Sequence, residues 1–221
     1  KLLRQIVNRE GIGDLLAEGV KHMAEELDVD PGLAAHVKGL EIPMHDPRAY
    51  AIQALAYEIC NIGASHEKPD IFNIEGDTAA IPRVKTGERF NPDGKEKGLV
   101  LYWNLTNLYD SSVICNFSHI QQAQLARLLG ASTGFKELGK KRNALEAGER
   151  GNQLKRIINC KLGVTREDDK LPKIVTKVLH SGGAMNVKLD LENNLKKFYK
   201  YAGWDWETGC PTEEKIEELA I

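Results

Sequence analysis

A chain of 221 residues is long enough to bury a substantial core, as one domain or two. With 42% hydrophobic and 28% charged residues it has the composition of an ordinary globular protein. The net charge of -2 argues against a nucleic-acid surface, and the densest basic cluster, Lys140-Lys141-Arg142, reads as a solvated helix face. No apolar run approaches membrane-spanning length, Gly98 to Trp103 being about the longest, and no signal peptide is recognisable. An opening on Lys1 without a start methionine is what a fragment or processed product would show.

In chain order, Leu16, Val20, Met23 and Leu27 fall at helical spacing behind Asp14, a good N-cap, and Asp30-Pro31-Gly32 stops that run. Glu41 to His45 reads as an extended connector. Asp46 caps the next helix, with Pro47 in its first turn and Ile52, Leu55, Ala56 and Ile59 as its buried stripe. Gly63 breaks that pattern, and from Lys68-Pro69-Asp70 to Lys97 the text is a long excursion. Only a few residues around Ile71 to Ile74 hint at a strand. Val100, Trp103 and Leu108 restore a helix running to Asp110. Ser118 to Leu129 predicts another, with Leu125 and Leu128 inward and a stop at Gly130. Thr133 caps a long predicted helix from Phe135 to Ile158, with Leu138, Leu145, Leu154, Ile157 and Ile158 inward. Thr165 to Asp169 is a charged turn. Asp190 caps a helix burying Leu191, Leu195, Phe198 and Tyr199 and ending at Gly203, and Pro211-Thr212 opens a short closing helix. The fold class predicted is all-α.

Several chemistries are absent from this pattern. Gly11-Ile12-Gly13 follows no strand, so it is no dinucleotide fingerprint, and there is no P-loop, nucleophile elbow or helical zinc-histidine pair. His22, His36, His119 and His180 sit among charges or on amphipathic faces, and His45 reads as a residue ordering its turn. Cys60, Cys115, Cys160 and Cys210 are too widely spaced for a zinc ribbon or redox pair. A disulfide framework is not expected in so large a chain, so the cysteines read as core thiols in a reducing, cytoplasmic setting. One stretch stands out: Asp110-Ser111-Ser112-Val113-Ile114-Cys115, at the end of the apolar run Leu99 to Tyr109. A carboxylate and a thiol beside one turn can serve one buried polar object, the acid accepting N–H donors and the thiolate binding a soft metal. The same pair can also be a helix cap and a core residue.

Several segments resemble, in order, the tungsten-containing aldehyde:ferredoxin oxidoreductases. They are Gly11 to Val20; Lys38-Gly39-Leu40-Glu41-Ile42-Pro43-Met44-His45-Asp46-Pro47-Arg48; Gly148-Glu149-Arg150 through Asn159; Gly163 to Arg166; Asp168 to Pro172; Gly203-Trp204-Asp205; and Pro211 to Lys215. The resemblance implies that residues 1–221 are the C-terminal helical region of a longer enzyme. It allows two helical subdomains meeting near residues 60–115, with an N-terminal β-rich cofactor domain outside this chain. Such an enzyme oxidises aldehydes to carboxylic acids using a bis-molybdopterin tungsten (or molybdenum) cofactor and a [4Fe-4S] cluster, passing electrons to ferredoxin. The family's Asp-x-x-Gly-Leu-Cys motif would make Asp110 a pterin ligand and Cys115 the fourth cluster ligand. Val113 and Ile114 replace the usual Gly and Leu, which puts a β-branched residue where a permissive one is used. His66 falls where the family has a histidine near the metal, as hydrogen-bond donor or proton shuttle, or else it orders its own loop. That loop, Asn61-Ile62-Gly63-Ala64-Ser65-His66, lacks the family's arginine and has Ser65 for its cysteine. Lys68 would reach a pterin phosphate or remain a surface lysine. The isolated chain is expected to be inactive, to hold no cofactor and to self-associate, as a homodimer or aggregate, through surfaces normally covered. Reduction of aromatic acyl-CoA thioesters, as in the tungsten benzoyl-CoA reductases, and a non-catalytic helical scaffold are the alternatives.

Overall fold

A computed structural model describes residues 1–71, 74, 85–118 and 120–221. At its centre, a sixteen-residue helix and a 21-residue helix lie against each other so closely that glycine is required between them. A Cβ at Gly148 would stand 2.1 Å from the Asn104 carbonyl oxygen, so no other residue fits there. The described helices in chain order are α1 (Leu2–Asn8), α2 (Ile12–Ala17), α3 (Gly19–Glu26), α4 (Ala51–Ile59), α5 (Glu96–Ser111), α6 (Gln122–Thr133), α7 (Lys141–Lys161), α8 (Lys173–Thr176), α9 (Glu192–Ala202) and α10 (Glu213–Glu218). The predicted all-α class holds. One small hairpin interrupts it: β1 (His36–Val37) pairs antiparallel with β2 (Leu40–Glu41), ending where the predicted connector Glu41 to His45 begins.

Capping chemistry accounts for several boundaries. Asp46 accepts the Arg48 N–H at 2.9 Å and opens a 3-10 turn at Pro47–Ala49, ahead of α4. Thr212 accepts the Lys215 N–H at 3.2 Å at the start of α10, and Gly203 ends α9 in the left-handed region. Other boundaries differ from expectation. The first predicted helix is two, broken at Gly19, and Asp14 lies inside α2 with Gly11 at its cap. Gly130 lies within α6, which continues to Gly134. Asp190 is not a cap; Leu191 holds that position. Phe72, Asn73 and residues 75–84 of the excursion before α5 lie outside the described residues, as does His119; Ile71 and Ile74 are buried.

The largest departure is on α7. Leu154 and Ile158, predicted inward, are exposed, while Asn152, Gln153 and Arg156 are buried. Each buried polar group has a partner, which is what permits the inversion. Asn152 Nδ2 donates to the Trp103 carbonyl at 3.0 Å, and Gln153 Nε2 donates to the Ala202 carbonyl at 2.8 Å. Gln153 Oε1 accepts from Trp204 Nε1 at 2.8 Å. Arg156 lies over the Trp204 ring and forks onto Asp169 at 3.0 and 2.7 Å. Trp103, Phe198, Tyr199 and Trp204 complete an edge-on aromatic cluster around this point.

Asp169, read in the sequence as part of a charged turn, has no exposed side-chain surface. Besides Arg156 it receives Lys38 Nζ at 2.6 Å and the Tyr199 hydroxyl. Lys38 also donates to the Glu58 carbonyl of α4, so the hairpin, α4, α7 and α9 meet there. Cys160 and Cys210 form a disulfide, which corrects the expectation of reduced core thiols. Their separation of 50 residues conceals the pairing in sequence. Arg156, one turn before Cys160, donates to the Gly209 carbonyl at 2.7 Å and draws the two segments together. The cysteines therefore say nothing about compartment. Among the described residues no helix is long and apolar enough to cross a membrane.

Glu58 is buried beside this cluster, and burial pushes its carboxyl up from 4.5 to about 8, with the nearby Asp169 adding to the shift and the Leu171 N–H and Lys38 opposing it. Between those values the folded chain holds a proton that the unfolded chain has released. This group's contribution is therefore full below pH 4.5 and is lost as the pH rises through about 8. Glu58→Gln keeps the neutral shape without the titration. Thermal unfolding across the pH range should show the variant gaining on the wild type from pH 5 to pH 9, most at the alkaline end.

Candidate functional site

The loop after α4 is fixed on two sides before it reaches His66. Gly63 takes a φ of +102°, and a Cβ there would stand 2.4 Å from the Val37 carbonyl oxygen, so the loop lies directly on the hairpin. On the other side Asn159 Nδ2 donates to the Asn61 carbonyl at 2.7 Å, and Asn61 Nδ2 donates to the Asn152 carbonyl at 3.2 Å. Asn61 thus fastens the loop to α7, while Ile62 stands where the family pattern has arginine. His66 follows with 31% of its side chain exposed and its Nε2 3.8 Å from Glu67 Oε1. Its ring lies 4.3 Å from that of His45.

Lys68, two residues on, forms an ion pair with Asp110 at the end of α5, each side chain about a third exposed. The pair closes one wall of a cavity of about 20 Å³, space for a water-sized occupant. Cys60, Asn61, Asn107 and Lys155 line it as well. Lys155 donates to Asn107 Oδ1, and Asn107 Nδ2 donates to the Gly148 carbonyl at 2.8 Å. Local desolvation and the Lys68 charge hold the Lys155 ammonium below the usual lysine range, while Asp110 pulls it back. Burial pushes the Cys60 thiol up, so it stays protonated and poorly nucleophilic. Asn61 Oδ1 is buried with no hydrogen-bond partner, an acceptor suited to a donor held in this hollow.

Beyond Asp110 the chain turns sharply. The Ser112 hydroxyl donates to the Leu108 carbonyl at 2.7 Å, and the Ile114 N–H donates to the Tyr109 carbonyl at 3.0 Å. Between them Val113 sits at φ +56°, in the left-handed region, with 93% of its surface exposed. This is the position where the family pattern has glycine, and the backbone still takes the glycine conformation. Cys115 follows, free and exposed. Asp110 and Cys115 are thus neither helix cap nor core residue: one is an ion-paired carboxylate, the other an open thiol on the next turn.

Of the four residues singled out from the sequence, Lys68 and Asp110 are in contact and line one cavity, and His66 stands on the same loop as Lys68. Cys115 lies outside that cavity, on the loop after α5. Among the described residues no three His, Cys, Asp or Glu side chains gather closely enough to hold a metal ion. Sequence reasoning missed Lys155, Asn107 and Asn61. Asn152, Lys155 and Asn159 recur at helical spacing along α7, a polar stripe that could have flagged this face.

Residues 1–221 match the family model described as aldehyde ferredoxin oxidoreductase, domains 2 & 3. The tungsten-containing aldehyde ferredoxin oxidoreductase of Pyrococcus furiosus is 34% identical over 223 residues, covering 99% of this chain and 36% of that protein. The enzyme of the same description from Pyrococcus abyssi is 30% identical over 223 residues with the same coverage. The aliphatic sulfonate oxidoreductase, WOR-like subunit, of Pyrococcus furiosus is 30% identical over 240 residues, covering all of this chain and 34% of that one. Among solved structures, the active site complex BamBC of benzoyl coenzyme A reductase in complex with 1,5 dienoyl-CoA superposes with a TM-score of 0.67. That match has 20% identity and covers 99% of this chain and 38% of that one, a likeness of fold. The chain spans little more than a third of the length of the curated relatives it matches.

A β-branched residue in the left-handed region costs about 1–2 kcal/mol, more than the added chain entropy of glycine takes away. Val113→Gly should therefore raise the melting temperature, by roughly 2–4 °C per kcal/mol gained in a chain of this size. Differential scanning calorimetry checks it; an unchanged or lower midpoint would mean the turn carries no strain.

Proposed function

The chain belongs to the aldehyde ferredoxin oxidoreductase family, and from that premise we propose that it is the C-terminal helical region of a tungsten- or molybdenum-dependent enzyme oxidising an aldehyde to a carboxylic acid, with ferredoxin as electron acceptor. The observation that carries this reading is the turn after α5. Asp110 and Cys115 flank a residue held in the glycine conformation, as the family's Asp-x-x-Gly-Leu-Cys motif requires. The donor set fits a shared cofactor. Cys115 is the free, exposed thiol here, Cys60 is buried, and Cys160 and Cys210 are bonded to each other. One thiolate cannot hold a [4Fe-4S] cluster, so the other three come from the family's remaining, β-rich N-terminal domain.

Asp110 would accept pterin N–H groups and Lys68 would meet a pterin phosphate, their mutual ion pair keeping both polarised towards the same surface. The cofactor supplies two-electron oxidation at the metal and one-electron delivery through the cluster. Aldehyde and water yield the acid, two electrons and two protons, and the protons are where this chain's residues act. His66, partly exposed on a loop fastened to both the hairpin and α7, would take or give one beside the substrate carbonyl. Met44, Val113 and Phe117 project outward near these residues, where the N-terminal domain would cover them and where the isolated chain would self-associate.

In the full-length enzyme, Cys115→Ser should abolish the electron-paramagnetic signal of the reduced cluster and stop ferredoxin reduction while the protein remains folded. An intact cluster signal would refute the assignment. Assays with aldehydes and with benzoyl-CoA decide the substrate class, and turnover of only the thioester would replace aldehyde oxidation as the reaction. Absence of cluster, metal and turnover in the purified full-length protein would leave a helical scaffold.

A further inference from the structure

His45 lies in a stretch whose backbone is fixed more firmly than a connector needs. On its C-terminal side Asp46 accepts the Arg48 N–H at 2.9 Å and the Arg48 guanidinium through Nε, also at 2.9 Å. Arg48 in turn reaches the Lys177 carbonyl at 3.1 Å. From α4 the buried Tyr57 donates its hydroxyl to the His45 carbonyl at 3.0 Å. The imidazole that this backbone presents is exposed, yet it meets the His66 ring, 21 positions along the chain, at 4.3 Å between centroids with an interplanar angle of 37°.

The His66 ring has little else to hold it. Among the described residues its polar neighbour is Glu67, and 3.8 Å is too long for a hydrogen bond. An exposed imidazole on a loop exchanges rotamers freely, and a second ring in van der Waals contact removes those it overlaps. We propose that His45 is a positioning residue for His66, holding its imidazole in one orientation through contact between the two rings. The inference rests on the role proposed for His66 but adds a residue to it. His45 supplies a flat surface rather than a proton.

The test uses the full-length enzyme with His45→Ala, His45→Phe and His66→Ala. Removing the ring should lower kcat by roughly ten- to a hundredfold with KM little changed, the loss expected of a misplaced catalytic group. His45→Phe, which restores a ring without a titrating nitrogen, should recover most of that loss. A readout independent of turnover is the 13C-labelled histidine ε1 resonance of His66, assigned by its disappearance in His66→Ala. It should move when the neighbouring ring is lost and should stay displaced by ring current in His45→Phe. Wild-type kcat in His45→Ala, an equal loss in Phe and Ala, or an unmoved His66 resonance in His45→Ala would each overturn the proposal. Full activity in His66→Ala would instead defeat the role given to His66, while the resonance would still decide whether the rings meet.

Discussion

Asp169 is the group on which the rest of the molecule depends. Its buried carboxylate takes the fork of Arg156 on α7, the ammonium of Lys38 beside the hairpin and the hydroxyl of Tyr199 on α9. Desolvating such a charge is tolerable only because every acceptor site is filled, and removing one partner of a buried pair costs about 3–5 kcal/mol. Segments more than a hundred residues apart are thereby held in one register that apolar packing alone would leave free to slide. Glu58 shows the limit of the arrangement. It lies close enough to feel Asp169, has a buried oxygen without a partner, and keeps its proton instead of adding a second negative charge.

From that centre the geometry of the candidate site follows in two steps. Lys38 anchors the hairpin, and the hairpin is the surface on which Gly63 rests. Arg156 anchors α7, which carries Asn152, Lys155 and Asn159 on towards Asn61 and Asn107. The loop bearing His66 and Lys68 is therefore clamped between two elements that are both tied to Asp169. The ion pair from Lys68 to Asp110 then joins it to α5. The site is rigid on the side facing the protein and open on the other.

Elements whose inward residues are apolar were legible in the sequence. The stripe of α4 and the residues of α9 are buried as the periodicity predicts. On α7 the same reasoning put Leu154 and Ile158 inward because it assumes that apolar means buried. It has no way to see that distant carbonyls and Asp169 satisfy Asn152, Gln153 and Arg156. Asp169 was misread for the same reason, since its partners lie 13, 30 and 131 positions away. For the candidate site, residue types and spacing raised Asp110 and Cys115 but also allowed a cap and a core thiol; the family resemblance gave the motif its meaning. The tension noted at Val113 was real, and the structure keeps the turn at the expense of the side chain's preference.

A pattern runs through the residues that the proposed chemistry needs. His45 follows the fully exposed Met44, Ile62 opens the loop that leads to His66, and Val113 and Phe117 bracket Cys115, all four apolar side chains projecting outward. Burying one such side chain is worth about 1.5–3 kcal/mol, so leaving four in water next to reactive groups would be costly for a domain built to stand alone. Scattered exposed apolar residues need no explanation, but these share the segments that carry an acid, a thiol and two imidazoles. The segments that would meet a polar cofactor thus also carry groups that favour exclusion of water. Excluding water is also what would let one imidazole and one carboxylate–ammonium pair act strongly on a bound substrate, since their fields are screened far less in a dry cleft than in solvent.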